Sequence, residues 1–375
     1  MGTNRQRSAT SRAWIVRVAL LAAALIVWPV SPVMAQGCIV ARGTGVMPGH
    51  EAVSEGGSTQ DKLQTSISYR WFKSDRAFVG TQEIGHPPGV DINYSHFVDI
   101  SITYAFNDRF GLSLTLPYAR HERSSVVTDA NGAILQRFST HNSGLADLRL
   151  IGSAWLFDPK EHAQGNLQLG LGLDLPTGDD DASDVFPTFD PASGRLVPVR
   201  RPVDQSIQLG DGGYGVLLSF YGFRHVTQRL SLIAEGTYGV TPEETNGVAS
   251  LSSNPFEREL SIADTYAMRA GLQYALSPAH GLRLELAGRI EGVPVHDLVG
   301  GSDGFRRPGY TVYVEPGVSA AFGSYSMNLY APIAIQRDRQ RSVGDIRLTE
   351  ATGVFQHGPA AFADYLVMFN FAKSF

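Results

Sequence analysis

Hydrophobic residues that recur at every second position constrain this chain more than any other feature. Between residues 94 and 106, aromatic and aliphatic side chains occupy one parity, and small or polar side chains occupy most of the other. After the turn 107–109 the alternation resumes over 110–118. A period of two predicts extended strands, and so short a turn between them predicts an antiparallel hairpin.

The same alternation predicts twelve strands between about residue 62 and residue 375. The clearest is 167–175, where five leucines alternate with polar residues and glycines. Short and long connections alternate along the chain. The short ones lie at about 107–109, 158–165, 225–228, 276–281 and 323–324, and the long ones at about 74–91, 121–143, 177–212, 240–261, 293–308 and 336–361. All the long loops are therefore expected on one side of the sheet.

This arrangement is typical of an outer-membrane barrel, which has an even number of strands, short periplasmic turns and long extracellular loops. A soluble β-sandwich would distribute its loop lengths over both ends. In hydrocarbon a sheet pairs all its backbone groups only by closing on itself. We therefore predict an all-β, transmembrane, antiparallel up-and-down barrel of about 12 strands over 62–375. It should lie in the outer membrane of a Gram-negative cell, with the start of the first strand and the end of the last strand on the periplasmic side.

Aromatic residues support this assignment because they cluster near both ends of the predicted strands, where membrane–water interfaces would lie. The last strand alternates from Tyr365 onward and finishes on Phe375. A terminal Phe on an amphipathic strand is read by the outer-membrane assembly machinery. The expected partners are therefore that machinery, outer-membrane lipid and lipopolysaccharide, and a small hydrophobic solute.

Residues 1–35 have the pattern of a secretory signal peptide. Four arginines precede a 13-residue apolar run at 18–30, and a Val-x-Ala site follows it. The run is shorter than the roughly 17 residues that a spanning helix requires. Removing 1–35, which contains four arginines and no acidic residue, changes the formal net charge from −5 to −9. This charge argues against nucleic acid as a partner.

The segment 36–61 has no strand signal, and we expect it either to hang in the periplasm or to enter the barrel as a plug. It contains Cys38, the only cysteine, so no intrachain disulfide can form. Cys38 is either lipidated after cleavage of the signal peptide or an ordinary thiol.

By strand parity, a set of charged side chains faces the lumen. These are Arg70, Asp99, Asp147, Arg149, Asp174, Glu235, Arg269, Arg283, Glu285, Arg289, Glu291 and Glu315. Mixed signs predict pairing across neighbouring strands, in either a polar pore or a filled interior. Twelve strands make a narrower barrel than the 16 to 18 of porins, so we expect a constricted lumen gated by side chains or by 36–61.

No pattern of residues points to catalysis or to a cofactor. The one Gly-x-Ser-x-Gly string, at 300–304, falls in the predicted loop 293–308 and not between a strand and a helix, so it is no nucleophile elbow. The chain has no His-Glu-x-x-His helix. Four carboxylates in the loop 177–212 are weak candidates for a Ca²⁺ site, although acidic residues are also common in extracellular loops. They are Asp179, Asp180, Asp181 and Asp184. We predict no metal, no cofactor and no enzymatic activity.

Two prolines interrupt predicted strands. If the turn Gly323-Ser324 sets the register, opposite residues have numbers that sum to 647, so Pro316 faces Ala331 and Pro332 faces Glu315. Proline cannot donate to a ladder. The pair predicts either two bulges that only curve the wall or a local gap through which an apolar solute leaves sideways.

Three motifs resemble those of a known family. They are Leu116-Pro117-Tyr118, Gly144-Leu145-Ala146-Asp147 and Leu175-Pro176-Thr177-Gly178-Asp179. Together they resemble the outer-membrane proteins called MetA-pathway of phenol degradation, in which a second glycine often stands where this chain has Ala146. The resemblance extends loosely from about residue 62 to the end of the sequence, with its specific motifs in 110–180.

The resemblance implies a passive transporter or channel for small, largely apolar compounds, aromatic ones included. The alternatives from other classes are an outer-membrane enzyme of phospholipase or deacylase type and a structural barrel without transport activity.

Overall fold

The computed structural model describes residues 62–85, 90–277 and 281–375. The predicted signal peptide 1–35 and the segment 36–61 with Cys38 lie outside the described residues. The wall strands are β1 (Leu63–Val79), β3 (Ile92–Ala105), β4 (Phe110–Thr128), β6 (Leu148–Trp155), β7 (Gly165–Leu175), β10 (Gly215–His225), β11 (Leu230–Val240), β14 (Thr265–Ser277), β15 (Leu282–Val293), β16 (Gly309–Phe322), β17 (Tyr325–Tyr330), β18 (Ile333–Arg339) and β19 (Ala360–Ser374).

Further elements lie in the long connections. They are the strands β2 (Gln82–Gly85), β5 (Ile134–Leu145), β8 (Ser183–Asp190), β9 (Arg195–Pro202), β12 (Thr245–Ala249) and β13 (Glu259–Ser261), the 3₁₀ turn η1 (Gln205–Ile207) and the helix α1 (Val343–Thr352). Among the described residues, no helix has the length and hydropathy needed to cross a membrane.

The wall is a closed antiparallel sheet of twelve passes. Each wall strand pairs with its neighbours along the chain, and β17 and β18 together make one pass that is interrupted at Ala331 and Pro332. The first and last strands close the sheet in one register from Gln64 opposite Ser374 to Phe72 opposite Leu366, and irregularities around Ser74 follow. The predicted twelve-stranded barrel is confirmed. Strand β1 begins, and strand β19 ends, on the side of the short turns.

Side chains alternate between the two faces of the wall as the sequence pattern predicts. On β7, Leu171 is 63% exposed, and Leu169 and Leu173 on the same parity are also exposed to the outside. The opposite parity carries Gln168 and Asp174, which are partly buried within the barrel. Only the outer face meets hydrocarbon, so only that face is uniformly apolar.

The short-turn side carries exposed aromatic rings. Tyr325 stacks on Phe322 and on Phe371, with ring centroids 5.8 Å apart in both pairs. Phe106 and Phe110 flank the turn between β3 and β4 and are exposed. Exposed aromatic rings at this height are typical of the membrane–water interface, as the sequence predicts.

The long connections contain more secondary structure than the sequence predicts. Strands β4 and β5 continue as a hairpin through the predicted loop 121–143, and β8 pairs with β9 inside 177–212. Helix α1 lies inside 336–361. The periodic signal ends at the membrane surface because both faces of a strand then meet water, while the backbone ladder continues.

Helix α1 packs against the loop that follows β12. Its N-terminal residue Ser342 forms a capping box with Asp345. The Ser342 hydroxyl also donates to the buried Glu257 carboxylate at 2.6 Å, and Ser252 donates to the other Glu257 oxygen at 2.8 Å. Burial raises the pKa of Glu257, although both hydrogen bonds act in the opposite direction; nearby Asp345 also raises it and Arg339 lowers it.

We expect the arginine variant of Leu171 to fold much less well than the arginine variant of Gln168. Leu171→Arg places a charge on the lipid face near the midplane, at a cost of about 2 to 4 kcal/mol, whereas Gln168→Arg places it in the lumen. Folding yield into lipid vesicles, read from gel mobility without heating, measures the difference. Equal yields would show that the two faces are assigned incorrectly.

We also expect the contact between α1 and residues 250–258 to be tighter in acid. The pKa of Glu257 is raised in the folded state, so its contribution to stability is complete below the unfolded pKa and is lost as pH rises through the folded pKa. Hydrogen–deuterium exchange of 250–258, corrected for intrinsic pH dependence, reads the effect. Glu257→Gln should abolish it, and Glu259→Gln, at an exposed carboxylate, should not. A Glu257→Gln profile that matches the wild type would contradict the assignment.

Candidate transport path

A network of buried ion pairs fills one side of the barrel interior. Arg269 on β14 donates from Nη1 to Glu315 on β16 at 2.7 Å and from Nη2 to Glu285 on β15 at 3.4 Å. Its Nε donates to Glu235 on β11. The side chains of Arg269, Glu285 and Glu315 are 0% exposed. One arginine therefore ties together four adjacent passes of the wall.

A second arginine extends the network along β15. Arg289 contacts the other oxygen of Glu315 at 3.3 Å and Glu291 at 3.1 Å. Tyr313 donates its hydroxyl to Glu291 at 2.9 Å. A buried carboxylate or guanidinium is tolerated only when it is paired in this way, so the network restrains the wall and leaves little room beside it.

The other predicted lumen charges lie on the inner face outside this network. Arg70 is buried with its guanidinium carbon 4.3 Å from the centre of the Phe97 ring. Arg149 lies 3.5 Å from Asp99. Two buried atoms, Arg149 Nε and Asp174 Oδ1, have no hydrogen-bond partner among the described residues. Arg283 is partly buried at an inner position of β15. That these side chains contact a solute stays a prediction.

A cluster of buried apolar side chains fills the other side of the interior. Most of its members come from wall strands near the closure of the barrel, and one comes from the loop before β10. They are Phe72, Phe97, Ala119, Leu209, Tyr313, Tyr330, Ala363, Leu366 and Met368. Tyr313 and Tyr330 also contact the ion-pair network, since the Tyr330 hydroxyl donates to Glu285 at 3.0 Å. Aromatic and aliphatic side chains therefore occupy this side of the lumen.

The loop that contributes Leu209 enters the lumen over residues 203–211. Ile207 is 0% exposed, and Val203 and Gln208 are 1% exposed. The wall satisfies the polar groups of the segment: Asn93 donates to the Ser206 hydroxyl, and Asn142 donates to the Ile207 carbonyl, each at 3.0 Å. We call residues 203–211 the inserted segment.

The sequence did not predict this insertion. The loop 177–212 was expected to lie outside the barrel, and 36–61, which lies outside the described residues, was the predicted gate. The available signal was local: Val203, Ile207 and Leu209 are apolar residues separated by polar ones within 203–209.

One buried carboxylate holds the outer end of the inserted segment. Asp204 accepts from Arg307 Nη1 at 2.9 Å and Nη2 at 2.7 Å, a bidentate pair. Arg123 lies 3.6 Å from the same carboxylate and also pairs with Asp91. Burial by itself would raise the pKa of Asp204, but the charges of Arg123 and Arg307 lower it well below its ordinary value. Asp204, Arg307 and Arg123 form what we call the clamp.

A second carboxylate holds the inner end. Asp147 accepts from the backbone amide of Gly178 at 2.9 Å and from that of Asp211 at 3.3 Å. A side chain on Gly210 would approach Asp147 to 2.7 Å, and one on Gly178 would approach the Gly210 amide nitrogen to 2.9 Å. The second and third family motifs therefore meet here, and Asp147, predicted as a lumen charge, positions the inserted segment.

The inserted segment separates two cavities. The outer one, about 970 Å³, lies among the long connections and is lined by both aromatic and charged side chains. Its lining includes Phe138, Phe186, Phe189, Phe305, Arg123, Asp204 and Arg307. The inner one, about 120 Å³, lies in the lumen and includes Arg70, Phe97, Arg149, Asp174, Leu209 and Arg307. Arg307, a member of the clamp, therefore lines both cavities.

The acidic residues of loop 177–212 do not assemble into an ion site. Asp184 accepts the backbone amides of His141 and Val185, and Asp180 accepts from Asn246. The described part of the chain contains no group of three or more His, Cys, Asp or Glu side chains placed to hold a metal ion. Asp179 accepts the backbone amide of Asp181, so the aspartates of this loop serve turns and loop contacts.

The predicted register around the two prolines is confirmed, because Phe322 pairs with Tyr325 and Val314 with Ile333. The prediction that both prolines interrupt one seam is wrong. Pro316 accepts from the Ala331 amide, but Pro332 accepts from Leu366 on β19. The backbone groups of successive residues in a strand point alternately to the strand on one side and to the strand on the other. Ala331 and Pro332 therefore bond to different neighbouring strands. Each proline carbonyl thus accepts a hydrogen bond from a different neighbouring strand, and the sideways exit stays a prediction.

Comparison with known proteins agrees with these observations. The family described as "Putative MetA-pathway of phenol degradation" matches residues 74–195, which include all three motifs. No curated protein matches the chain in sequence. The COG4313 outer membrane channel from Pseudomonas putida F1 is 15% identical, with a TM-score of 0.55 over 86% of this chain and 98% of that one.

Two other solved barrels are less similar. The Pseudomonas putida toluene transporter TodX is 11% identical, with a TM-score of 0.45 over 92% of this chain and 100% of that one. The Ralstonia pickettii toluene transporter TbuX is 9% identical, with a TM-score of 0.42 over 90% and 96%. The chain is an outer-membrane β-barrel with the fold of a solved outer-membrane channel, and over residues 74–195 it resembles the phenol-degradation family that its motifs indicate.

Proposed function

We propose that this barrel passes small, largely apolar compounds, aromatic ones included, through the outer membrane by passive diffusion. The observation that carries the proposal is the apolar cluster around Leu209, which occupies the narrow part of the lumen. A ring of similar size can replace the Leu209 side chain there without leaving a polar group unpaired. The family description, which names phenol degradation, supports the same class of solute.

The outer cavity supplies a suitable approach to this constriction. Phe138 and Phe186 pack edge to face there with ring centroids 5.7 Å apart. Their apolar surface favours transfer of a hydrocarbon ring from water. The path then requires the inserted segment to move, and Gly212, whose φ of 85° suits glycine, lies in the backbone that would bend.

We propose no enzymatic activity. A serine–histidine contact does line the inner cavity, where the Ser95 hydroxyl lies 3.0 Å from His121 Nδ1. That cavity has about 120 Å³. Binding pockets for organic ligands are usually about 300 to 1,000 Å³, so a phospholipid or lipid A chain does not fit. We interpret the contact as a hydrogen bond within the wall.

Shortening Leu209 should widen the constriction. Leu209→Ala removes a buried side chain, at a cost of about 2 to 5 kcal/mol to the packing of the inserted segment. Conductance in planar bilayers should rise severalfold, and uptake of toluene by cells should quicken. The matched control is Leu251→Ala, at an exposed residue of the outer cavity. Unchanged conductance would refute the constriction, and a deletion strain that takes up toluene as fast as its parent would refute transport.

We further propose that Pro316 and Pro332 weaken two neighbouring seams, one on each side of the β17–β18 pass, and that a solute leaves sideways there. Pro316→Val with Pro332→Thr supplies the two missing donors, toward Ala331 and Leu366. Toluene uptake by cells should slow while conductance through the lumen stays unchanged. A well-assembled double variant with normal uptake would leave only the axial path.

A further inference from the structure

The clamp surrounds one carboxylate with two arginines at the floor of the outer cavity. Both terminal nitrogens of Arg307 donate hydrogen bonds to the Asp204 carboxylate, and Arg123 lies 3.6 Å from the same carboxylate. All three side chains line the cavity. Asp204 is 3% exposed. The guanidinium carbon of Arg307 lies 4.6 Å from the centre of the Phe305 ring, which lines the same cavity.

Opening the lumen requires Asp204 to leave this position, because Asp204 begins the turn that carries Ile207 and Leu209. If Asp204 left, the partly buried guanidinium group of Arg307 would lose its main counter-charge. An unpaired buried charge is strongly unfavourable. Acid does not release the clamp, since the pKa of Asp204 lies well below its ordinary value. A neutral hydrocarbon offers no acceptor to either arginine. A second anion on Arg307 would remove this penalty and so favour the open position of the inserted segment.

We propose that the outer cavity binds small aromatic carboxylates, whose anion replaces Asp204 on Arg307 and so releases the inserted segment. This inference rests on the proposed transport function and specifies its solute class. The guanidinium fork of Arg307 matches a carboxylate in two parallel hydrogen bonds, as Asp204 already demonstrates. The aromatic ring of the ligand lies against Phe305 and toward the Phe138–Phe186 pair.

Other acids on the cavity do not counteract this anion. Asp91 pairs with Arg123, and Asp345 lies 3.6 Å from Arg339. Asp129 accepts the backbone amides of its own turn at Asn131 and Ala133. Of the remaining acids, Glu257 receives two serine hydroxyls. At the clamp, two arginines thus face the cavity, and the carboxylate that they bind can be replaced by the carboxylate of a ligand.

Isothermal titration of the purified full-length barrel in detergent tests the site, with benzoate as the probe. Acetate lacks the ring, toluene lacks the anion, and inorganic phosphate is an anion of different shape. We expect saturable benzoate binding, weaker acetate binding, and no competition by toluene or phosphate. Asp204→Asn should tighten benzoate binding by about tenfold, because it removes the internal competitor and the cost of displacing it. Arg307→Met should abolish it.

The matched control is Arg201→Met. Arg201 lines the same cavity, where its guanidinium carbon lies 4.8 Å from the centre of the Phe186 ring, but it is not part of the clamp. Benzoate affinity should not change in this variant. If Arg307→Met fails to fold, the Asp204→Asn result still decides the question. Absent benzoate binding, an unchanged affinity in Asp204→Asn, or equal loss in Arg201→Met would each overturn the proposal.

Flux into proteoliposomes separates this inference from the proposed function. Toluene flux without benzoate binding would refute the carboxylate site and leave the channel. Benzoate binding without flux of benzoate or toluene would refute the channel and leave the site. Benzoate flux that is lost in Arg307→Met and retained in Arg201→Met is the result expected if both hold.

Discussion

The closed backbone ladder is the constraint on which the rest of this structure depends. Hydrocarbon offers no partner to an unpaired amide or carbonyl, so the first and last strands must meet, and they do so from Gln64 opposite Ser374. Closure by twelve passes in turn determines a narrow interior. Whatever occupies that interior is packed side chain against side chain, so charges placed there must find partners on neighbouring strands.

The interior is filled in two ways, by paired charges and by apolar side chains. On one side Arg269 and Arg289 are paired with buried glutamates, and on the other an apolar cluster surrounds Leu209. The inserted segment packs on the apolar side, while its ends are held by the carboxylates of Asp204 and Asp147. The barrel therefore has a polar wall restrained by ion pairs and an apolar obstruction that is held at two points.

The wall could be predicted in detail because lipid and lumen impose opposite polarity on successive residues. Strand number, strand parity and the register at Pro316 all follow from that period and from a two-residue turn. Loops have no comparable period. The extension of β4 into the predicted loop 121–143 was missed since both faces of the strand meet water there, and the direction of the Pro332 carbonyl required knowledge of the pairing partner on each side.

By itself the sequence determined the barrel, its place in the outer membrane and the family motifs, because each depends on residues close together in the chain. Only the tertiary structure decided which charges pair, that the loop 177–212 enters the lumen and that Asp147 and Gly178 hold it there. Asp204 and Arg307 are 103 residues apart, and no local pattern connects them. Closure of the sheet brings such residues together, so the candidate path exists only in the folded barrel.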